Sequence, residues 1–296
     1  MTATQNPTHD PLERPLIVIG SPRSGTTILG SILSAHPDVC YLDEPRLTWR
    51  YGNDRRSDLL RPEHARPEVV RYIRRSFLDE ATKAGKTRIV EKTPSNAIRM
   101  PFLDAVFPDA RYVHILRNGS DAALSIASFW RRFAGGINSP ELRTRAWRRV
   151  REISPRQWPH YGKEVGKRLL PPALRGLASP PIWGPRLPGI ERMARELTTL
   201  ELACLQWRMS VELACDFGRT LPTDRYREVR LDRLDAEGFS GLLSFAGLSA
   251  ADEVLGAFDA KFNGREQTPR TAEASAEDRA VIERWTGVTS RWLGFE

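Results

Sequence analysis

Four short apolar runs punctuate an otherwise polar and charged chain: residues 15–20, 87–91 (TRIVE), 111–116 (RYVHIL) and 225–231 (RYREVRL). Runs of this length, bounded by turn-forming residues, read as strands of a sheet. Between them the apolar spacing changes to that of helices. Residues 24–35 place Ile28, Leu29, Ile32 and Leu33 on one face, the stripe a helix lays on a sheet. A second helix is expected over 95–106. A third follows NGSD, where Asn118 can cap and Asp121 stands three residues on. A fourth spans 190–217, with Gly218 placed to end it. Strands alternating with helices predict an α/β domain built on a parallel sheet.

Residues 134–189 break this rhythm with prolines, glycines, tryptophans and dense arginine. They read as a largely helical insertion or lid within one domain covering 15–296. Residues 1–14 are polar and proline-broken and read as a loose tail, unlike the apolar centre of a secretory signal. No run approaches the roughly 18 apolar residues of a membrane span, so a cytoplasmic protein is expected. The three cysteines, Cys40, Cys204 and Cys215, have neither metal-site spacing nor a disulfide framework. They are expected to be buried thiols. Among the histidines, His36 is expected to make a contact at a helix end, and His114 to be packed within its strand.

Charge changes the picture. With 45 Lys and Arg against 37 Asp and Glu, the chain carries a formal +8, which favours anionic partners. The best-placed cations sit at strand ends and loops, which suits a small polyanion rather than a nucleic acid duplex.

The sharpest motif is LIVIGSPRSGTT, Leu16 to Thr27. A strand, a turn with Gly20 and Gly25, and a helix opening at Thr26–Thr27 together resemble a phosphate loop, whose N–H groups surround an anion. The nucleotide-hydrolase version has lysine after its second glycine; here Thr26 holds that place and Arg23 lies inside the loop. The third strand ends in Arg117 where a magnesium-binding acid would be wanted, although the fourth leads toward Asp232. Arg117 and Ser125 suggest a second anion site beside the first. Asp43–Glu44 and Lys92 follow at the same carboxyl edge, where open α/β sheets bind ligands, and a carboxylate among cations can take a proton from a hydroxyl.

These pieces resemble the sulfotransferase family that uses 3′-phosphoadenosine 5′-phosphosulfate (PAPS). IGSPRSGTT is similar to its 5′-phosphosulfate loop and HILRNGSDAALS to its 3′-phosphate motif; AHPDVCYLDEPR and EKTPSN resemble the branch that includes tyrosylprotein sulfotransferases and bacterial relatives. The resemblance implies a P-loop-like three-layer fold. It assigns Glu44 as base, with Lys92 and Arg23 as catalytic cations. Arg23, Ser24, Gly25, Thr26 and Thr27 would hold the 5′ group, Arg117 and Ser125 the 3′-phosphate, and Tyr226 would lie near the adenosine. The implied reaction moves a sulfuryl group from PAPS to an acceptor hydroxyl of a carbohydrate, lipid, tyrosine or specialised metabolite, with no metal required. A phosphate-loop kinase using ATP and magnesium, a nucleic-acid binder working through the basic insertion and a non-catalytic nucleotide-binding protein are the rival readings.

Overall fold

The computed structural model describes residues 10–134, 153–161, 183–262 and 274–295. Its centre is a five-stranded, all-parallel sheet in the order β2-β3-β1-β4-β5, formed by Leu16–Gly20 (β1), Val39–Asp43 (β2), Arg88–Lys92 (β3), Arg111–Leu116 (β4) and Tyr226–Arg230 (β5). The four expected strands are present. The additional one, β2, forms the edge and pairs Val39 to Asp43 with Arg88 to Lys92.

Strand alternation sorts the core into two layers. Leu16 and Val18 of β1 pack with Leu29 and Ile32 of α1 (Thr26–Leu33) and with Phe239 and Phe258. Ile17 and Ile19 face the other way, toward Phe77, Phe102 and Trp49. Phe77 belongs to a helix the apolar pattern had not marked out, Pro67–Ala84, whose buried residues Val69, Ile73, Phe77 and Ala81 recur every four positions. Among the described residues, the helices after α1 are, in chain order, α2 (Arg46–Arg50), α3 (Pro67–Ala84), α4 (Met100–Val106), α5 (Gly119–Ala134), α6 (Ile190–Glu196), α7 (Thr199–Gly218), α8 (Ala236–Ala246), α9 (Asp252–Phe262) and α10 (Ala276–Trp292). Helices on both faces of a parallel sheet make the three layers expected.

Several smaller expectations also meet the structure. The three cysteines are free and buried. His36 reaches Ser249 at 3.0 Å and accepts the Asp38 N–H. Residues 10–14 differ from a loose tail: Leu12 is buried, and the Arg14 N–H donates to Asp109 at 2.7 Å; residues 1–9 lie outside the described part. The expectation of a helical lid falls mostly outside it too. Its described parts are docked. Gln157 donates to the Leu47 carbonyl and to Asp54; the Arg186 N–H donates to the Asp58 carboxylate, and the Arg186 carbonyl accepts the Asp58 N–H.

Candidate active site

The turn after β1 is built to present backbone donors. Ser24 Oγ donates to the Ser21 carbonyl at 2.7 Å, closing the loop on itself. Gly25 has φ 104°, and a Cβ there would meet Leu231 at 2.2 Å; only glycine satisfies both conditions. No side chain at Gly25 caps α1, and the Ile28 N–H turns back to the Gly25 carbonyl at 2.9 Å, so the Thr26 and Thr27 N–H groups and the positive helix end face an anion. Ser24 and Thr26 are buried in this turn.

Arg23 stands at φ 67°, a left-handed conformation that a residue with a Cβ adopts at a cost. That geometry turns its side chain toward α5. Its Nε donates to Ser125 Oγ at 3.2 Å, and its guanidinium lies 5.7 Å from the centre of the Phe129 ring. Arg117, at the tip of β4, donates through Nη1 to the Arg23 carbonyl at 2.9 Å. The loop and the Arg117–Ser125 motif therefore meet at a single residue. Asn118 accepts the Ser120 N–H with its side chain, starting α5 beside Arg117.

A second group gathers one strand away. The register pairs Asp43 with Lys92, and a parallel ladder puts such neighbours on one face. The Glu44 N–H extends the ladder by donating to the Lys92 carbonyl at 2.8 Å, with Glu44 at φ 56°. Lys92 is 1% exposed, and its ammonium lies 2.7 Å from Asp43, 3.0 Å from Glu44 and 3.3 Å from Thr27. Arg46 holds the other oxygen of Glu44 at 2.8 Å. A buried cation is tolerated when paired and hydrogen-bonded in this way. Thr27, in the first turn of α1, joins this group to the phosphate loop.

Behind β3 lies a polar network that the sequence reading missed. Glu91, fully buried, accepts from Trp49 at 3.0 Å, Thr93 at 2.5 Å and Asn96 at 2.8 Å. Burial outweighs these donors and pushes its carboxyl up to about 7. Asn96 accepts from Arg99 at 2.7 Å, and Arg99 lies 3.6 Å from Asp58, which Arg50 holds at 2.7 Å. Burial opposes ionisation of Asp58, but Arg99 and Arg50 overcome it and keep the carboxyl below its usual range. An acid inside an apolar strand was the available signal for Glu91. Asp58 and Arg99 carried none.

Tyr226 is not brought to either group. It opens β5 opposite Tyr112, at the amino end of the sheet, whereas the loop lies at the carboxyl end. Its phenol bonds His114 Nδ1 at 2.7 Å and donates to Glu228 at 3.1 Å. His114, Cys215 and Glu228 offer ligand atoms within 4.8 Å of one another, the one such metal-compatible group among the described residues. The Tyr226 hydroxyl bonds into this group, and Arg219 forks onto Glu228 at 2.7 and 3.0 Å. These contacts make it a closed structural cluster. Asp232, the remaining acid near a strand end, is held by Arg230 at 2.7 Å.

The nodulation protein NoeE of Sinorhizobium fredii is 31% identical over 136 residues, covering 40% of this chain and 32% of its own. The protein-tyrosine sulfotransferase of Drosophila melanogaster is 28% identical over 165 residues, covering 51% and 33%. The chain thus matches about a third of the length of these relatives. Among solved structures, sulfotransferase STF9 from Mycobacterium avium superimposes with a TM-score of 0.50 at 15% identity, over 97% of this chain and 78% of that one. The sulfotransferase domain from the curacin biosynthetic pathway gives 0.50 at 14%, over 96% and 98%. These two share the fold. A family model described as the sulfotransferase family matches residues 15–165, just over half of the chain and the span that carries the loop, Glu44, Lys92, Arg117 and Ser125, and the chain belongs to that family.

Proposed function

We propose that this protein transfers a sulfuryl group from PAPS to an acceptor hydroxyl. The observation that carries the proposal is the junction at Arg23. One arginine bonds Ser125 through its side chain and Arg117 through its carbonyl, so two anion-binding elements sit side by side, as a nucleotide phosphorylated at both 5′ and 3′ positions requires. Arg23, Ser24, Gly25, Thr26 and Thr27 hold the 5′ group; Arg117 and Ser125 hold the 3′-phosphate. Glu44 takes the acceptor O–H proton as that oxygen bonds to sulfur. The bond from sulfur to the 5′-phosphate oxygen breaks, and the electron pair leaves on 3′-phosphoadenosine 5′-phosphate. Arg23, Lys92 and the loop N–H groups offset the charge that develops. This scheme places no role on a metal ion.

Acceptor hydroxyls of carbohydrates, lipids, peptide tyrosine and specialised metabolites are all compatible with this chemistry. The names of several relatives make a tyrosine phenol the first to assay.

Thermal unfolding tests the donor assignment. At about 100 times its dissociation constant a ligand stabilises by about 2.7 kcal/mol, which raises the melting temperature by several degrees. 3′-Phosphoadenosine 5′-phosphate without metal is expected to do so, and Arg117→Ala to lose the shift. A shift with magnesium-ATP alone would overturn the donor assignment and make the kinase reading the one to pursue.

A further inference from the structure

The donor reading, on which this inference rests, meets a difficulty at Lys92. An ammonium has three N–H groups; Glu44 and Thr27 accept two of them at 3.0 and 3.3 Å, and the Asp43 carboxylate crowds the same ammonium at 2.7 Å as an ion pair. At 1% exposure the side chain has no room to add a fourth contact. To touch the donor, Lys92 must give up a partner.

The three partners are not equivalent. Thr27 stands in the first turn of α1, on the side where the donor docks, so an ammonium drawn toward the donor moves toward Thr27 and away from the carboxylates. Of these, Asp43 is the closer and is fixed by its strand register directly beside Lys92. Glu44 lies one residue beyond the strand at positive φ, and Arg46 already holds its second oxygen at 2.8 Å. Glu44 can lose Lys92 and still keep a cation; it is the partner released at least cost.

The release matters chemically. A carboxylate clamped between an ammonium and a guanidinium has its charge stabilised and is a poor proton acceptor. Removing one of the two cations restores basicity. We propose that Lys92 exchanges Glu44 for the bound donor while Asp43 retains it, so that filling the donor site is what readies Glu44 to take a proton. Asp43 is then a positioning residue, acting through Lys92. The ionisable groups around Glu44 include Lys92 on β3, Asp43 and Tyr41 on β2, and Arg46 on α2. Lys92 is the member of this set that touches both Glu44 and the phosphate-loop helix.

Calorimetry tests the exchange without an acceptor. Binding of 3′-phosphoadenosine 5′-phosphate is measured at about pH 5, near where a glutamate titrates, in two buffers of different ionisation enthalpy. Because the nucleotide's phosphates also exchange protons, the quantity read is the difference between the wild type and Glu44→Gln. The wild type is expected to take up more protons. Lys92→Met should abolish that excess. An excess that survives Lys92→Met would mean direct repulsion between nucleotide and Glu44, and would overturn the exchange. Equal proton counts in wild type and Glu44→Gln would overturn it as well. In Asp43→Asn, Lys92 has Glu44 as its one charged partner and stays there, so the excess should shrink. An unchanged excess in that variant removes Asp43 from the positioning role. Absence of any binding heat would strike at the donor reading itself and is thereby told apart from failure of the exchange.

Discussion

Buried ionisable side chains gather at both ends of the sheet, and the two gatherings differ in how they are closed. At the amino end, Tyr226 bonds His114 and Glu228, Arg219 forks onto Glu228, and none of these residues has a positive φ. The polar atoms, His114 Nε2 apart, are spent on one another. At the carboxyl end, two of the three described non-glycine residues with positive φ, Arg23 and Glu44, stand in the site itself, each at a cost on the order of 1–3 kcal/mol. The loop beside them leaves the first helical N–H groups uncapped. A closed cluster stabilises a fold; a strained one with donors in reserve is arranged for a ligand. The strain identifies the site more surely than the number of charges does, since both ends have charges.

The comparison breaks most visibly if the carboxyl end is chemically idle. Glu44→Gln is expected to lower turnover about 10²–10⁴-fold, the range for a general base, while affinity for 3′-phosphoadenosine 5′-phosphate is retained. Steady-state rates with a responsive acceptor and a nucleotide titration check the two halves, and unchanged turnover would remove Glu44 as base. A smaller effect of the opposite kind is expected at the amino end. Tyr226→Phe strips a hydroxyl from His114 and Glu228 and should lower stability by about 1–3 kcal/mol, measured by urea unfolding, with nucleotide affinity unchanged. If affinity falls and stability does not, the amino-end cluster belongs to the ligand after all.

How much of this could be read from residues alone follows from which interactions are local. The phosphate loop was legible because a strand, two glycines and a helix start are consecutive. Arg117 and Ser125 were legible because eight positions along one strand–helix unit fix their relation. Asp43 and Lys92 are 49 positions apart, and what makes them partners is the β2–β3 register, which needs the edge strand VCYLD to be recognised first. That strand is five residues long with two of them half exposed, so its apolar signal is weak. Glu91 was hidden for a related reason: its partners Trp49, Thr93 and Asn96 come from two segments that only the packing of α2 against β3 brings together. Tyr226 was misplaced although strand direction held the answer. It opens its strand, and in a parallel sheet ligands gather at the other end.

The smallest expected effect is a pH dependence in which the two ends cancel. Burial pushes Glu91, behind the active edge, up to about 7. Burial pushes His114, in the amino-end cluster, down to about 4. The signs are opposite. Between about pH 4.5 and 7 the folded state holds a proton on Glu91 that the unfolded chain has released, so its contribution to stability falls as pH rises through this window. Between about pH 4 and 6.5 the unfolded chain protonates His114 while the folded protein does not, so that contribution rises with pH. Carboxylates held low by arginines, Asp58 and Glu228 among them, make their losses below about pH 4.5. The wild-type melting temperature should therefore be nearly flat from about pH 4.5 to 6.5. Each end can be unmasked by silencing the other. His114→Asn should leave a protein that grows more stable as pH falls through this window, and Glu91→Gln one that grows less stable. Melting temperatures in a common buffer series decide it. Parallel profiles for the two variants would mean that neither group titrates as its burial requires, and would take away the energetic distinction between the two ends.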